Sequence, residues 1–215
     1  MDDINLARAR ASKKRTRIQA ENEEKILDAA LDVFSTYGFR GATVDQIAER
    51  AGMSKPNLLY YFRRKQDIYT AVLQRTLDMW LAPFGEMDPD GDPAEEIGRY
   101  IRVKLEQARD RPQESRLFVG EIMQGAPLID GMLRTELKEV VDEKAGVLRG
   151  WIADGKLRAI HPVHLIFMIW ATTQHYADFD TQIRALLGSG MENPEVFKAA
   201  SETVLDVLLQ GILPR

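Results

Sequence analysis

From residue 43 to residue 62 the chain sets two short helical segments end to end, each behind its own capping residue and parted by a single glycine. Thr43 precedes the segment 44–51, and Gln46 three residues on completes a capping-box pattern, in which side-chain and backbone groups satisfy each other. Gly52 ends that segment. Ser54 then caps a second one, with Pro56 in its first turn, where a missing N–H costs nothing. Two short helices around a glycine turn make a helix-turn-helix, whose second helix lies in the major groove of DNA. Val44, Ile47, Ala48, Leu58 and Leu59 supply its apolar side. Ser54, Lys55, Asn57, Tyr60 and Tyr61 point outward, donors and acceptors suited to phosphates and base edges. Thr43 and Ser54 also sit at helix starts, where free N–H groups favour a phosphate, and Lys65 opens the next helix as a further phosphate contact. Taken singly, either tyrosine fits equally as a packing residue, and Ser54 as a cap alone.

Helical spacing dominates the rest of the chain, and the expected fold class is all-α. Residues 21–37 place Ile26, Ala29, Ala30, Val33 and Phe34 on one face and stop at Tyr37-Gly38. A longer helix starts at Lys65 and runs through Trp80 until Pro83 breaks it. Residues 85–94 read as an acidic Pro/Gly loop, and further helices are expected at 94–110, 112–123, 127–154, 162–180 and 193–210. Asp88, Asp90 and Asp92 alternate like calcium ligands, but a calcium-binding EF-hand loop also needs a distal bidentate Glu. His164 and His175 lie three helical turns apart, too far for one metal. No metal and no cofactor is expected.

Charge is divided unevenly. Residues 1–75 carry 14 Lys/Arg against 10 Asp/Glu, a net of +4, while the remainder carries 15 against 23, a net of −8. Arg8, Arg10, Lys13, Lys14, Arg15 and Arg17 form a basic cluster with no acid between them, which suits a DNA-contacting arm on an acidic body. The chain has no cysteine, which excludes disulfides and a thiol nucleophile. The longest apolar run, residues 165–172, falls well short of the roughly 20 residues of a membrane-spanning helix. No signal-peptide core opens the sequence, so a cytoplasmic protein with no membrane partner is expected. No Ser/His/Asp constellation, phosphate-cradling glycine loop or His-Glu-x-x-His pattern points to an enzyme.

Ile26-Leu27-Asp28-Ala29-Ala30-Leu31-Asp32-Val33-Phe34, Tyr37-Gly38-Phe39, Thr43-Val44-Asp45-Gln46-Ile47-Ala48, Ala51-Gly52-Met53-Ser54 and Leu59-Tyr60-Tyr61-Phe62, with Lys65, together resemble the N-terminal domain of the TetR family of regulators. The resemblance implies a three-helix DNA-binding domain on a larger all-helical domain for ligand binding and dimerisation. It implies DNA contacts at Thr43, Ser54, Asn57, Tyr60, Tyr61 and Lys65, to which the residue chemistry adds Lys55, Arg15 and Arg17. The expected divisions are a basic, flexible arm over residues 1–19, a DNA-binding domain over 20–64, and a ligand-binding and dimerisation domain over 65–215.

Further matches fall in the second domain, at Asp78-Met79-Trp80-Leu81-Ala82-Pro83, Arg116-Leu117-Phe118, Gly125-Ala126-Pro127-Leu128, Asp142-Glu143-Lys144, Gly155-Lys156-Leu157 and, above all, the run from His164 to Phe179. These resemble the branch of the family that governs pyrimidine utilisation and answers to uracil and thymine. The resemblance implies a ligand site made by Trp80, Trp170 and Gln174, with Phe118 and Tyr176 beside them. The side chains suit that ligand. A carboxamide offers an acceptor and two donors to the alternating edge of uracil, and Trp170 lies one helical turn before Gln174, placed to stack on the ring. A tryptophan on a mainly apolar helix also serves as core or dimer interface. The resemblance further implies a homodimer through helices 162–180 and 193–210, the latter carrying Val196, Phe197, Ala200, Val204, Val207 and Leu208 at helical spacing. Such a dimer reads a palindromic operator with recognition helices about 34–36 Å apart. The competing readings are a repressor of the same family with a different small-molecule effector, and an interaction module without a ligand.

Overall fold

The computed structural model describes the backbone of residues 2–214 and the side chains of residues 17–214. Within them the chain is helical throughout, without a strand. It divides into two compact units, Met1–Val72 and Leu73–Arg215.

The first unit contains α1 (Asp2–Gly41), α2 (Val44–Arg50), α3 (Lys55–Tyr61) and the opening of α4 (Lys65–Gly85). Ile26, Ala29, Ala30, Val33 and Phe34 are buried on one face of α1, as their spacing required. Gly38 interrupts α1 with φ 66° and ψ 171°, a conformation closed to a residue with a Cβ. Ile47, Ala48 and Leu58 are buried in the same core, whereas Val44 and Leu59 are only half-buried. The helical bounds of α1 reach back through the segment expected as an arm. The division between units falls inside α4, eight residues beyond the expected boundary at 64/65. The reason is packing: Ile68, Tyr69 and Val72 are buried, and the Tyr69 ring meets Phe34 edge-on at 4.9 Å.

The second unit contains the rest of α4, α5 (Pro93–Asp110), α6 (Pro112–Met123), α7 (Asp130–Met132), α8 (Lys138–Ala153), α9 (Pro162–Asp178), α10 (Asp180–Leu187) and α11 (Pro194–Ile212). Its core gathers Ile97, Ile101 and Leu105 of α5, Leu148 and Trp151 of α8, Leu165, Ile166 and Ile169 of α9, and Ala200, Val204 and Leu208 of α11. Each fully buried aliphatic side chain contributes about 1.5–3 kcal/mol.

Pro83 does not break α4, contrary to expectation; the helix continues to Gly85. A proline inside a helix leaves the carbonyl four residues earlier without its donor. Here that carbonyl, on Met79, accepts the Gln107 side-chain N–H at 3.0 Å. The single helix expected over 127–154 is instead α7, a π-helical turn over Leu133–Leu137, and α8. The separate helix α10 follows where α9 was expected to run on to residue 180. The acidic loop after α4 is held by Lys144, whose Nζ donates to the Gly85 carbonyl at 2.8 Å, and by Trp151, whose indole N–H donates to the Pro89 carbonyl at 2.8 Å.

Candidate DNA-reading surface and effector cavity

In the first unit the capping pattern read from the sequence is present in full. The Thr43 hydroxyl accepts the Gln46 backbone N–H at 3.2 Å, while the Gln46 side chain accepts the Thr43 backbone N–H at 2.8 Å. Gly52, with φ 67°, makes the turn. Ser54 caps α3 by accepting the Asn57 backbone N–H at 3.4 Å. Lys55, Asn57 and Tyr60 are exposed together; Tyr60 is 64% exposed, which leaves its hydroxyl open to a partner.

The remaining expected contacts are placed differently. Tyr61 is half-buried, and its hydroxyl accepts the Asn22 side-chain N–H at 2.8 Å, tying α3 to α1. Lys65 donates to the Phe39 carbonyl at 2.6 Å and to the Ala42 carbonyl at 2.7 Å, with its ammonium 4.7 Å from the Phe39 ring centroid. It therefore caps the end of α1, a site where a cation is favourable, with two of its three N–H groups so engaged. Lys55 pairs with Asp45 at 2.9 Å and Arg17 with Glu21 at 2.8 Å. Both pairs are exposed and exchangeable for phosphate. The side chain of Arg15 lies outside the described residues.

In the second unit a cavity of about 280 Å³ opens among α4, α5, α6, α9 and the π-helical turn. It lies at the small end of the ~300–1,000 Å³ typical of ligand pockets. Trp80, Phe118, Trp170 and Gln174, four of the five ligand residues expected, line it together. Tyr176 does not; it packs against the core beside His175. Position around α9 is the reason: Trp170 and Gln174 share a face at spacing four, and Tyr176 is rotated about 200° from Gln174 at ~100° per residue.

Aromatic contacts stiffen the walls. The Trp80 and Phe118 rings meet edge-on at 4.9 Å. Trp170 donates its indole N–H to the Tyr100 hydroxyl at 2.7 Å, and Tyr100 stacks on Phe84 at 4.7 Å. Leu77, Leu81, Val119, Ile122, Leu133 and Leu137 supply the apolar remainder.

Besides these aliphatic residues, the cavity holds two polar ones that were not among those expected. Tyr100 and Lys104 lie one turn apart on α5, and each is 3% exposed. The sequence held a signal for them: the stripe Ile97, Ile101, Leu105 and Ala108 puts both on the buried face. The Lys104 ammonium sits 4.4 Å from the Trp80 ring centroid. Burial brings its pKa down to about 7, against a partial upward pull from Asp178. Asp178 is itself raised, chiefly by burial, while the Ser115 hydroxyl donating to it at 2.6 Å works the other way. Burial also raises the Tyr100 hydroxyl, so it stays protonated and keeps its own O–H to donate. Among the described residues no cluster of side chains can hold a metal ion, and no helix is long and apolar enough to cross a membrane.

Residues 26–72 match the family described as bacterial regulatory proteins, tetR family, and residues 73–215 match the YcdC-like protein, C-terminal region. The chain belongs to the TetR family. It is a helix-turn-helix DNA-binding transcriptional regulator, as the capped pair α2–α3 indicated, and its relatives are regulators and not enzymes. It is similar to the HTH-type transcriptional regulator RutR of Escherichia coli K12, with 49% identity over 94% of this chain and 95% of the relative. Among solved structures it resembles a transcriptional regulator from Streptomyces coelicolor, with a TM-score of 0.71 and 25% identity over 88% of this chain and 97% of that one. The fold is also that of the ketosteroid transcriptional regulator KstR2 of Mycobacterium tuberculosis, with a TM-score of 0.70 and 19% identity over 90% and 95% of the two chains.

Proposed function

We propose that this regulator is a repressor-type, pyrimidine-responsive switch: a homodimer that holds a palindromic operator and is released from it by uracil or thymine. The observation that carries the reading is the meeting of Trp80, Trp170 and Gln174 on one small cavity, combined with the likeness to RutR over nearly the whole chain. A flat ring stacks on the tryptophans, and the Gln174 carboxamide pairs with the N–H and C=O of its edge.

Thr43, Ser54, Lys55, Asn57 and Tyr60 form the DNA-facing set, with Arg15 and Arg17 reaching phosphates. Tyr61 and Lys65 act by holding α3 and the end of α1 in place. Homodimerisation uses the outer faces of α9 and α11, where Phe167, Met168 and Val207 are exposed, since a patch of large apolar side chains left to solvent favours association. On the other face of α11, Ala200, Val204 and Leu208 pack into the core of the unit.

α4 contributes Leu77, Trp80 and Leu81 to the cavity and begins in the DNA-binding unit. On the π-helical turn Leu133 and Leu137 line the same cavity, and Glu136 accepts a hydrogen bond from Gln74 of α4 at 2.5 Å. A ligand that prefers one position of α4 shifts the operator-bound state by ~1.4 kcal/mol for each tenfold loss of DNA affinity. The test is isothermal titration of uracil, thymine and adenine into the purified chain. Binding of the two pyrimidines alone supports the reading, and no heat from either returns the effector to a different small molecule.

A further inference from the structure

Lys104 is the feature of the cavity that stacking and a carboxamide edge leave unused. Its side chain is 3% exposed, it lines the cavity, and among the described residues its Nζ makes no hydrogen bond. A buried amine without an acceptor is costly, and more so when charged. The groups around it are few. From α4 it meets the face of Trp80. From its own helix, Tyr100 shares the cavity and already accepts the Trp170 N–H. From α9 Asp178 acts on it at longer range, with Ser115 and Arg116 of α6 and His175 of α9 gathered on that carboxylate.

Resting on the pyrimidine reading above, we infer that the cavity selects planar rings by the acidity of an imide N–H, which donates a hydrogen bond to the free amine of Lys104 at Nζ. No bond to hydrogen breaks: burial, which disfavours the charged lysine, equally disfavours an anionic ring, so both partners stay neutral in the apolar cavity. A more acidic N–H is a stronger donor to the amine lone pair, and the hydrogen bond satisfies a nitrogen that is otherwise without one. Burial, which brings the lysine to about 7, leaves the free amine available as the acceptor near neutral pH. A pyrimidine with both ring nitrogens flanked by carbonyls or vinylogous carbonyls meets this requirement; adenine, which has no imide, does not.

The experiment is titration calorimetry of uracil, the more acidic but nearly isosteric 5-fluorouracil, and adenine into the purified chain at pH 6, 7 and 8. The expected result is about tenfold tighter binding of 5-fluorouracil than of uracil at pH 7, and uracil affinity that rises about tenfold from pH 6 to pH 8 as the free lysine loses its proton. Lys104→Met and Lys104→Gln should each bind the two pyrimidines alike, with no pH slope. Uracil binding that falls with pH, or equal affinities in the unaltered chain, overturns the inference while leaving the pyrimidine reading intact. No heat from either pyrimidine at any pH overturns both.

Discussion

The Trp170 indole N–H donates to the Tyr100 hydroxyl at 2.7 Å, which joins α9 to α5 in the wall of the cavity and fixes the plane of one of its rings. Tyr100 is stacked on Phe84 at 4.7 Å and 3% exposed, so the hydroxyl that holds Trp170 is itself immobile. Ring orientation in this cavity is thus set by a hydrogen bond between two aromatic residues rather than by apolar packing alone.

Removing that hydroxyl strands a buried donor. Tyr100→Phe should lower stability by about 1–3 kcal/mol, read as a shift in the urea unfolding midpoint. It should also weaken uracil binding, whereas Tyr176→Phe, outside the cavity, should leave binding unchanged.

Lys104 gives the stability a pH dependence of known sign. Its folded-state pKa of about 7 lies below its ordinary 10.5, so between these values the unfolded chain binds more protons. Stability therefore rises with pH through that window, and below pH 7 the folded state bears the full burden of a buried ammonium. Lys104→Met should raise the melting temperature most at pH 6, with the gain shrinking as pH climbs from 7 toward 10. A gain that is flat with pH would contradict the burial argument.

Gln107 compensates for Pro83 by donating to the Met79 carbonyl, and its Oε1 atom is buried without a partner among the described residues. Gln107→Leu should destabilise the chain by about 1–3 kcal/mol through the carbonyl left bare. The double change Gln107→Leu with Pro83→Ala should recover most of that loss, because the helix then supplies its own donor. Thermal unfolding of the two variants checks this.

Much of the first unit was legible in the sequence because its signals are local. The capping box at Thr43 and Gln46, the glycine at 52 and the buried face of α1 each depend on neighbours within a few residues. The intramolecular hydrogen bonds of Tyr61 and Lys65 were not legible, since their partners Asn22, Phe39 and Ala42 are brought near only by the fold. The same division holds in the cavity. Trp170 and Gln174 share a helical face and could be paired from spacing, but Tyr176, two residues further on, had to be placed by rotation about α9. Lys104 was hidden by the ordinary expectation that lysine faces water. Pro83 misled for a related reason: the donor that rescues Met79 lies 28 residues away.

Tyr60 offers the cleanest test of the DNA-facing set, because it is 64% exposed, with its ring edge-on to that of Tyr61 at 5.3 Å. Tyr60→Ala should weaken operator binding at least tenfold in a fluorescence-anisotropy titration, with the melting temperature altered little. Lys55→Ala should weaken binding more evenly across sequences and flatten its salt dependence.

The most direct measurement uses a duplex selected by the protein from a random DNA pool, bound at fixed salt and titrated with uracil and, separately, adenine while anisotropy follows the complex. Release by uracil at concentrations where adenine has no effect, lost in Gln174→Ala, is the result expected of a pyrimidine-responsive switch. A complex that stays intact under uracil and thymine that demonstrably occupy the cavity would contradict it.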